Sequence, residues 1–462
     1  MAESTILLEH REHDPVLMDG SDIIVLPFDI LFIVWEYLKG DMPSLSSCAL
    51  VCRSWAFPCQ QRIFEHFVVN LLIPLHWGFF PPIDVAKGMP PLSPRLSGYV
   101  KHLTIQPTRD PNGHFPLPKS VLTVDIIDII MRNLTNLDSL SIQHMDLRRS
   151  TVASFDPSLF VHKKPFLSRL HFENAYIGAE AFRLLTLFSE IKELCFSFCG
   201  TVLLPEEEIK IERAIHAVPE GLRVSAFRTA NADLDSVMKY FTRLFHMPSL
   251  KCFTEIFQTL AFGYIEYDQC MMFLQNPLLT LSEIRLDFSL WSHICMSSLD
   301  WNKLNRSLEC HPSAIVRFSV PIDYSTENFS LSVDRMNQLP SQITHLSLVI
   351  WYPNPQSITE VENWNQSGAW KAWNRVLGRR PYLKEVSVLL CLISEYENGD
   401  EESVQRQRKL FDDMKHLARA EFRGFLERGV LRVQDFDHHR CIYPDSQFMV
   451  SMESQCQLLE HN

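Results

Sequence analysis

The chain is expected to be α/β, with a small helical module at its N-terminal end followed by a coil of strand-and-helix units whose strands form one parallel sheet. Three observations carry this. A compact run of short amphipathic helices occupies Ile24 to Phe67. The string apolar-x-x-apolar-x-apolar recurs ten times between Val100 and Val388, at a mean spacing of about 31 residues. Helix-like stretches lie between many of the copies and lead directly into the next one.

In the helical module, Leu26-Pro27 opens a helix where the missing proline N–H has no partner to lose. Ile30, Leu31, Val34, Trp35 and Leu38 then follow helical spacing with a wide apolar face. Gly40-Asp41-Met42-Pro43 ends that helix. Leu45, Cys48, Ala49, Cys52 and Trp55 share one side of a second piece that Pro58 is expected to stop or kink. Three short helices in about forty residues bury too little surface to stand alone, which points to a docking module.

Behind the module, Phe67-Val68-Val69 reads as a strand, and a proline-rich aromatic stretch follows from Pro74 to Pro94. The copies are VKHLTI at Val100, LDSLSI at Leu137, LSRLHF at Leu167, IKELCF at Ile191, LSEIRL at Leu281, IVRFSV at Ile315, ITHLSL at Ile343 and LKEVSV at Leu383, with weaker ones at Leu222 (LRVSAF) and Leu250 (LKCFTE). Helices are expected over Val121 to Leu134, Ala179 to Ser189, Leu234 to His246, Leu299 to Glu309 and Ala369 to Arg379. In each copy the first, fourth and sixth residues face a core and the residues between them line an open face. Gly399 to Glu402 is an acidic loop, and Leu410, Phe411, Met414, Leu417, Phe422, Phe425 and Leu426 form a capping helix ended by Gly429, with Val430 to Val433 as a last strand.

Two resemblances follow from these residues. Leu26-Pro27-x-x-Ile30-Leu31-x-Ile33, Tyr37-Leu38, Asp41, Leu45 and Leu50-Val51-Cys52-Arg53-x-Trp55 resemble an F-box of the fungal type, with Asp29 where many members carry Glu. The resemblance implies binding of the Skp linker of a cullin–RING ubiquitin ligase through Leu26, Pro27, Ile30, Leu31, Ile33, Leu38, Leu45, Val51, Cys52 and Trp55. The copies are similar to a degenerate leucine-rich-repeat-like α/β solenoid, although the period is long and the asparagine that usually follows the strand is absent. The domains expected are a flexible acidic tail over 1–22, the F-box over 23–67, a linker over 68–98, the repeat domain with its helical cap over 99–445 and a flexible tail over 446–462.

Composition narrows the function classes. A net charge of −12 disfavours a nucleic-acid surface, which needs clustered Lys and Arg. No run reaches the length of a membrane span and Met1 to Gly20 is unlike a signal peptide, so the expected location is cytoplasmic or nuclear, without a membrane partner. Twelve cysteines in apolar contexts such as Cys48, Cys195, Cys252 and Cys391 read as reduced thiols. Cys195-x3-Cys199 and His438-His439 with Cys441 are the nearest approach to metal ligands, and neither has a matching second pair. The chain has no GxxxxGK[ST], no GxSxG and no HExxH. Neither a cofactor nor an enzyme activity is therefore expected.

The open face is the expected substrate surface: His102, Thr104, Arg169, His171, Glu283, Arg285, Arg317 and His345, interleaved with Ser139, Ser141, Glu193, Cys195, Ser319, Ser347, Glu385 and Ser387. This mixture suits a protein partner. Trp351-Tyr352-Pro353 and Trp364, Trp370 and Trp373 are candidate anchors, with Trp370 and Trp373 better placed in a helix core. The favoured reading is a substrate-recognition subunit; the alternative is a scaffold that acts independently of cullin, and an enzyme with a site assembled from distant residues ranks below both.

Overall fold

A computed structural model describes residues 28–38, 41–71, 94–108, 120–122, 124, 127, 134–147, 166–201, 205–257 apart from 219, 231 and 233, 272–279, 281–289, 301–311, 314–321, 327–352, 368–392 and 401–435. The chain divides into two compact units, Met1–Glu65 and His66–Asn462. The acidic tail over 1–22, Leu26 and Pro27, most of the 68–98 stretch, the greater part of the Val121 to Leu134 helix, Trp364, the His438-His439-Cys441 cluster and the 446–462 tail lie outside the described residues.

The first unit holds α1 (Phe28–Tyr37), α2 (Met42–Val51) and α3 (Arg53–Glu65). Asp41 caps α2: its Oδ1 accepts the Ser44 N–H at 3.1 Å. Cys52 breaks the chain between α2 and α3 with extended backbone, and its carbonyl accepts the N–H groups of Trp55 and Ala56. Pro58, expected to stop or kink a helix, stands inside α3, where it removes one donor from the ladder without stopping it. Leu31, Trp35, Leu45 and Cys59 form the small core, and Trp35 meets Trp55 edge-on at 6.3 Å. Arg62 pairs with Glu36 and Glu65 and lies over the Phe32 ring.

The second unit is a single parallel array. Its strands are β1 (His66–Leu71), β2 (His102–Pro107), β3 (Ser120–Val121), β4 (Ser139–Gln143), β5 (Met145–Leu147), β6 (Phe166–Glu173), β7 (Tyr176–Ile177), β8 (Glu190–Ser197), β9 (Arg223–Ala230), β10 (Cys252–Phe257), β11 (Glu283–Ser289), β12 (Ile315–Pro321), β13 (His345–Tyr352), β14 (Glu385–Leu392) and β15 (Leu431–Asp435). Between them run α4 (Pro94–Ser97), α5 (Ala179–Leu185), α6 (Pro205–His216), α7 (Asp235–Leu244), α8 (Trp301–Glu309), α9 (Glu327–Gln338), α10 (Ala369–Gly378), α11 (Glu401–Glu421) and α12 (Arg423–Glu427). Twelve strands form one sheet in chain order from β1 to β15, while β3, β5 and β7 make a separate narrow sheet.

Several boundaries differ from those expected. The sheet begins at His66, so residues 66–67, expected in the helical module, and 68–71, expected in the linker, belong to its first strand. Val121 is in β3 rather than in a helix, α6 and α9 occupy stretches read as connections, and Glu401 and Glu402 open α11 rather than sit in a loop.

Alternation explains which face each residue takes. Leu103, Leu140, Leu170, Leu194, Phe227, Phe253 and Ile284 oppose one another across successive strands and are all almost fully buried. Two copies were read two residues out of register. Phe227, not Ser225, opposes Leu194, and Val316, not Phe318, opposes Leu346. A shift of two leaves every side chain on the same face, so alternation alone cannot detect it.

The chain turns out of three successive strands at one recurring position. His144, Asn174 and Phe198 all adopt left-handed backbone, at φ 55, 46 and 52 degrees. Their N–H groups donate to the carbonyls of Glu173, Ser197 and Ala230, which carries the ladder around the corner into the narrow sheet. Gly221, at φ 73 degrees, makes a turn that no side chain fits, because a Cβ there meets the His246 nitrogen at 2.9 Å.

A buried guanidinium holds the end of α9. Arg380 donates from Nη1 to the Pro340 carbonyl at 2.8 Å and from Nη2 to the carbonyls of Leu339, at 3.0 Å, and Met336. Arg380→Met is expected to cost about 3 kcal/mol, measured by urea unfolding, because the α9 carbonyls lose a charged donor. Arg380→Lys should fail to restore it, since a point charge lacks the planar fork; stability within error of wild type in the methionine variant would refute this role.

Candidate functional site

Among its described residues the helical unit leaves more large apolar side chains exposed than buried. Ile30, Ile33, Val34 and Tyr37 follow i, i+3, i+4, i+7 spacing on α1 and are 45, 65, 39 and 91 % exposed. Leu50 and Val51 at the end of α2, and Phe57 on α3, are exposed as well. Of the expected docking residues, Ile30, Ile33, Val51 and Cys52 therefore face outward. Leu31 and Leu45 do not: they are the core that joins the helices, and Leu38 and Trp55 pack partly buried against it. The Cys52 thiol lies 3.0 Å from Ser54 Oγ, and that contact, with the Trp55 backbone, holds its pKa below the usual thiol value.

In the second unit, register places the expected substrate residues on one face of the large parallel sheet. His102 and Thr104 on β2 continue sideways into Ser139 and Ser141 on β4, then Arg169 and His171 on β6, then Glu193 and Cys195 on β8. Glu283 and Arg285 on β11 lead to Ile315 on β12, His345 on β13 and Glu385 on β14. The face is knitted by polar pairs. His102 stacks on His66 at 4.4 Å and its Nδ1 is 2.8 Å from Ser139 Oγ. Arg228 meets Glu193 at 2.8 Å, Arg285 meets Glu283 at 3.4 Å and Arg432 meets Glu385 at 3.5 Å.

Parts of this face are closed to a partner. His171 and Arg317, both expected contacts, are buried, as are Glu173, Cys195, Ser197, Ser347 and Ser387. Burial pushes His171 down to about 3 and Glu173 up to about 8, so both are neutral near pH 7. Burial likewise lifts the Cys195 thiol to about 12. His171 Nε2 is 3.2 Å from Ser197 Oγ, a hydrogen bond within the face. Cys199, grouped with Cys195 as a candidate ligand pair, lies beyond the corner, where its thiol donates to the carbonyls of Phe172 and Ser197. Among the described residues no group of three or more His, Cys, Asp or Glu side chains is disposed to hold a metal ion. No helix among them is long and apolar enough to cross a membrane.

Of the candidate anchors, Trp370 and Trp373 are buried in α10, with Trp373 Nε1 donating to Ser332 Oγ at 3.1 Å; the side chains of Trp351 and Tyr352, and all of Pro353, lie outside the described residues. Sequence reasoning missed Arg228, a prominent charge on the open face, because the copy containing it was framed two residues early. Matching Phe227 to Leu194 would have found it. It also missed Phe32, Tyr37, Leu50 and Phe57 as exposed apolar groups of the helical unit. No protein-family model matches this chain, and no curated protein matches it.

Proposed function

We propose that the chain is a substrate-recognition subunit of a Skp–cullin–F-box type ubiquitin ligase. The helical unit docks the Skp linker, and the open face of a leucine-rich-repeat-like solenoid holds a protein substrate for modification by other subunits. The observation that carries the docking half is the exposed stripe Ile30, Ile33, Val34 and Tyr37, together with exposed Leu50 and Val51, on a unit whose buried core among the described residues is Leu31, Trp35, Leu45 and Cys59. Exposed apolar side chains grouped at helical spacing mark a partner site. The repeat reading is supported beyond the strand. Leu167, Leu170 and Phe172 are followed by Ala175 and Ile177, and Ile191, Leu194 and Phe196 by Cys199, the position that takes Asn or Cys in such repeats. The function needs no covalent chemistry from this chain: a bound lysine held near a charged enzyme reacts locally.

The test is co-purification of a Skp-type linker protein with the intact chain. Wild type should retain it stoichiometrically. Ile33→Asp with Val51→Asp should reduce retention at least tenfold at unchanged circular dichroism, since both side chains are exposed. Undiminished retention by that variant sinks the docking assignment. Linker retained without cullin would favour the cullin-independent scaffold.

A further inference from the structure

Three arginines punctuate the centre of the open face: Arg169 on β6, Arg228 on β9 and Arg285 on β11, in the spatial order β6-β8-β9-β10-β11. They stand on every second strand. Arg228 and Arg285 are in one register, each opposite Thr254 on the strand between them. Arg169 lies one open-face position earlier, in line with Glu193 and Ala226, an offset that a long side chain can span. The Arg228 and Arg285 side chains are 46 and 35 % exposed. Between them the floor is made of Ala226, Cys252 and Thr254, small and half-buried.

Neighbouring strands lie about 4.8 Å apart, so every second strand repeats at about 9.6 Å. A polyproline II segment rises about 3.1 Å per residue with three residues per turn, and presents every third side chain on one face at about 9.3 Å. The two spacings agree.

We propose that the open face from β6 to β11 binds an extended acidic segment of a protein partner, lying across the strands with Asp or Glu at every third position against Arg169, Arg228 and Arg285. This deepens the substrate-surface reading and rests on it. Charge complementarity favours an acidic occupant. Among the described side chains, the carboxylates beside the arginines, Glu193 and Glu283, are met by Arg228 and Arg285, and a guanidinium carries five donors, more than one such pair consumes. The Arg228 carbon stem and the small floor suit the prolines of such a segment. Glu173, two residues beyond His171, is protonated at neutral pH and does not repel the ligand.

The test uses the intact chain and fluorescein-labelled peptides read by anisotropy: five Glu-Pro-Pro triplets, the same fifteen residues with all glutamates in one block, and five Lys-Pro-Pro triplets. The periodic acidic peptide should bind at least tenfold more tightly than the block, and the basic one should not bind. Arg228→Gln with Arg285→Gln should lower that affinity at least tenfold while the circular dichroism and the linker retention stay unchanged. Equal affinity for periodic and block peptides, no binding of either, or indifference to the arginine pair overturns the proposal. If the linker is retained and the periodic peptide does not bind, this site falls alone; if the peptide binds and the linker does not, the ligase reading falls and the site stands.

Discussion

Phe227→Ala is expected to lower the stability of the parallel-sheet unit by about 3–5 kcal/mol. Phe227 is the hub of an aromatic core: its ring lies 5.8 Å from Phe196, 5.4 Å from Phe241, 5.5 Å from Phe245 and 5.9 Å from both Phe253 and Phe273. Those rings come from three adjacent strands and the segments behind them, so a cavity there cannot collapse by moving one neighbour. Urea unfolding measures the loss, and hydrogen exchange locates it, because local opening comes first where packing against the neighbouring elements is weakened. Exchange should quicken in β8, β9 and β10 before β13 and β14. Phe166→Ala, at a residue 50 % exposed, is the contrast and should stay within about 0.5 kcal/mol. Equal losses at the two positions would contradict the hub.

Glu173→Gln is expected to stabilise the chain at neutral and mildly alkaline pH. The Glu173 carboxyl moves from 4.5 to about 8 on folding, because burial disfavours its charged form. Its folded state therefore binds the proton more tightly, and the stability it allows is complete below pH 4.5 and lost as pH rises towards 8. At pH 7 the loss is up to about 3 kcal/mol, which the neutral glutamine escapes. His171 has the opposite slope. Burial first, and then the Arg169 charge, lower it from 6.5 to about 3, so its stability is present above 6.5 and lost as pH falls towards 3. The two slopes cancel between 4.5 and 6.5, giving a plateau from this pair. Thermal melts of wild type and Glu173→Gln across pH 4 to 8 should coincide at the acid end and diverge above about pH 5. A constant offset at every pH would show that Glu173 acts through packing rather than its proton.

Much of the architecture was legible because the strands repeat a simple alternation. The copies at Leu137, Leu167, Ile191, Leu281, Ile343 and Leu383 each fall in a strand whose inward residues are buried. The helices expected at Ala179, Leu234, Leu299 and Ala369 appear within two residues of those starts. Where reading failed, the cause is specific. α6, PEEEIKIERAIH, carries its apolar face on few residues among many charges, and it packs as a helix all the same, with Ile211, Ala214 and Ile215 inward. Register slipped at Phe227 and Val316 because a period of two has no memory of a two-residue shift.

The residues of the helical unit and of the open face divide along the same line. Sequence alone determined that short amphipathic helices fill the stretch described over 28–65, and that His102, Thr104, Arg169, His171, Glu283, Arg285, Arg317 and His345 share one face, because helical and strand periods are local properties of the chain. Only the tertiary structure decided that Leu31 and Leu45 hold the helices together while Ile33 and Val51 face outward. It also decided that His171 and Arg317 are buried on a face whose alternation marks them as outward, and that Arg169, Arg228 and Arg285 stand on alternate strands. Burial and cross-strand spacing depend on which distant segments meet, and residues on adjacent strands, such as Thr254 and Arg285, become neighbours only when parallel strands stack in register.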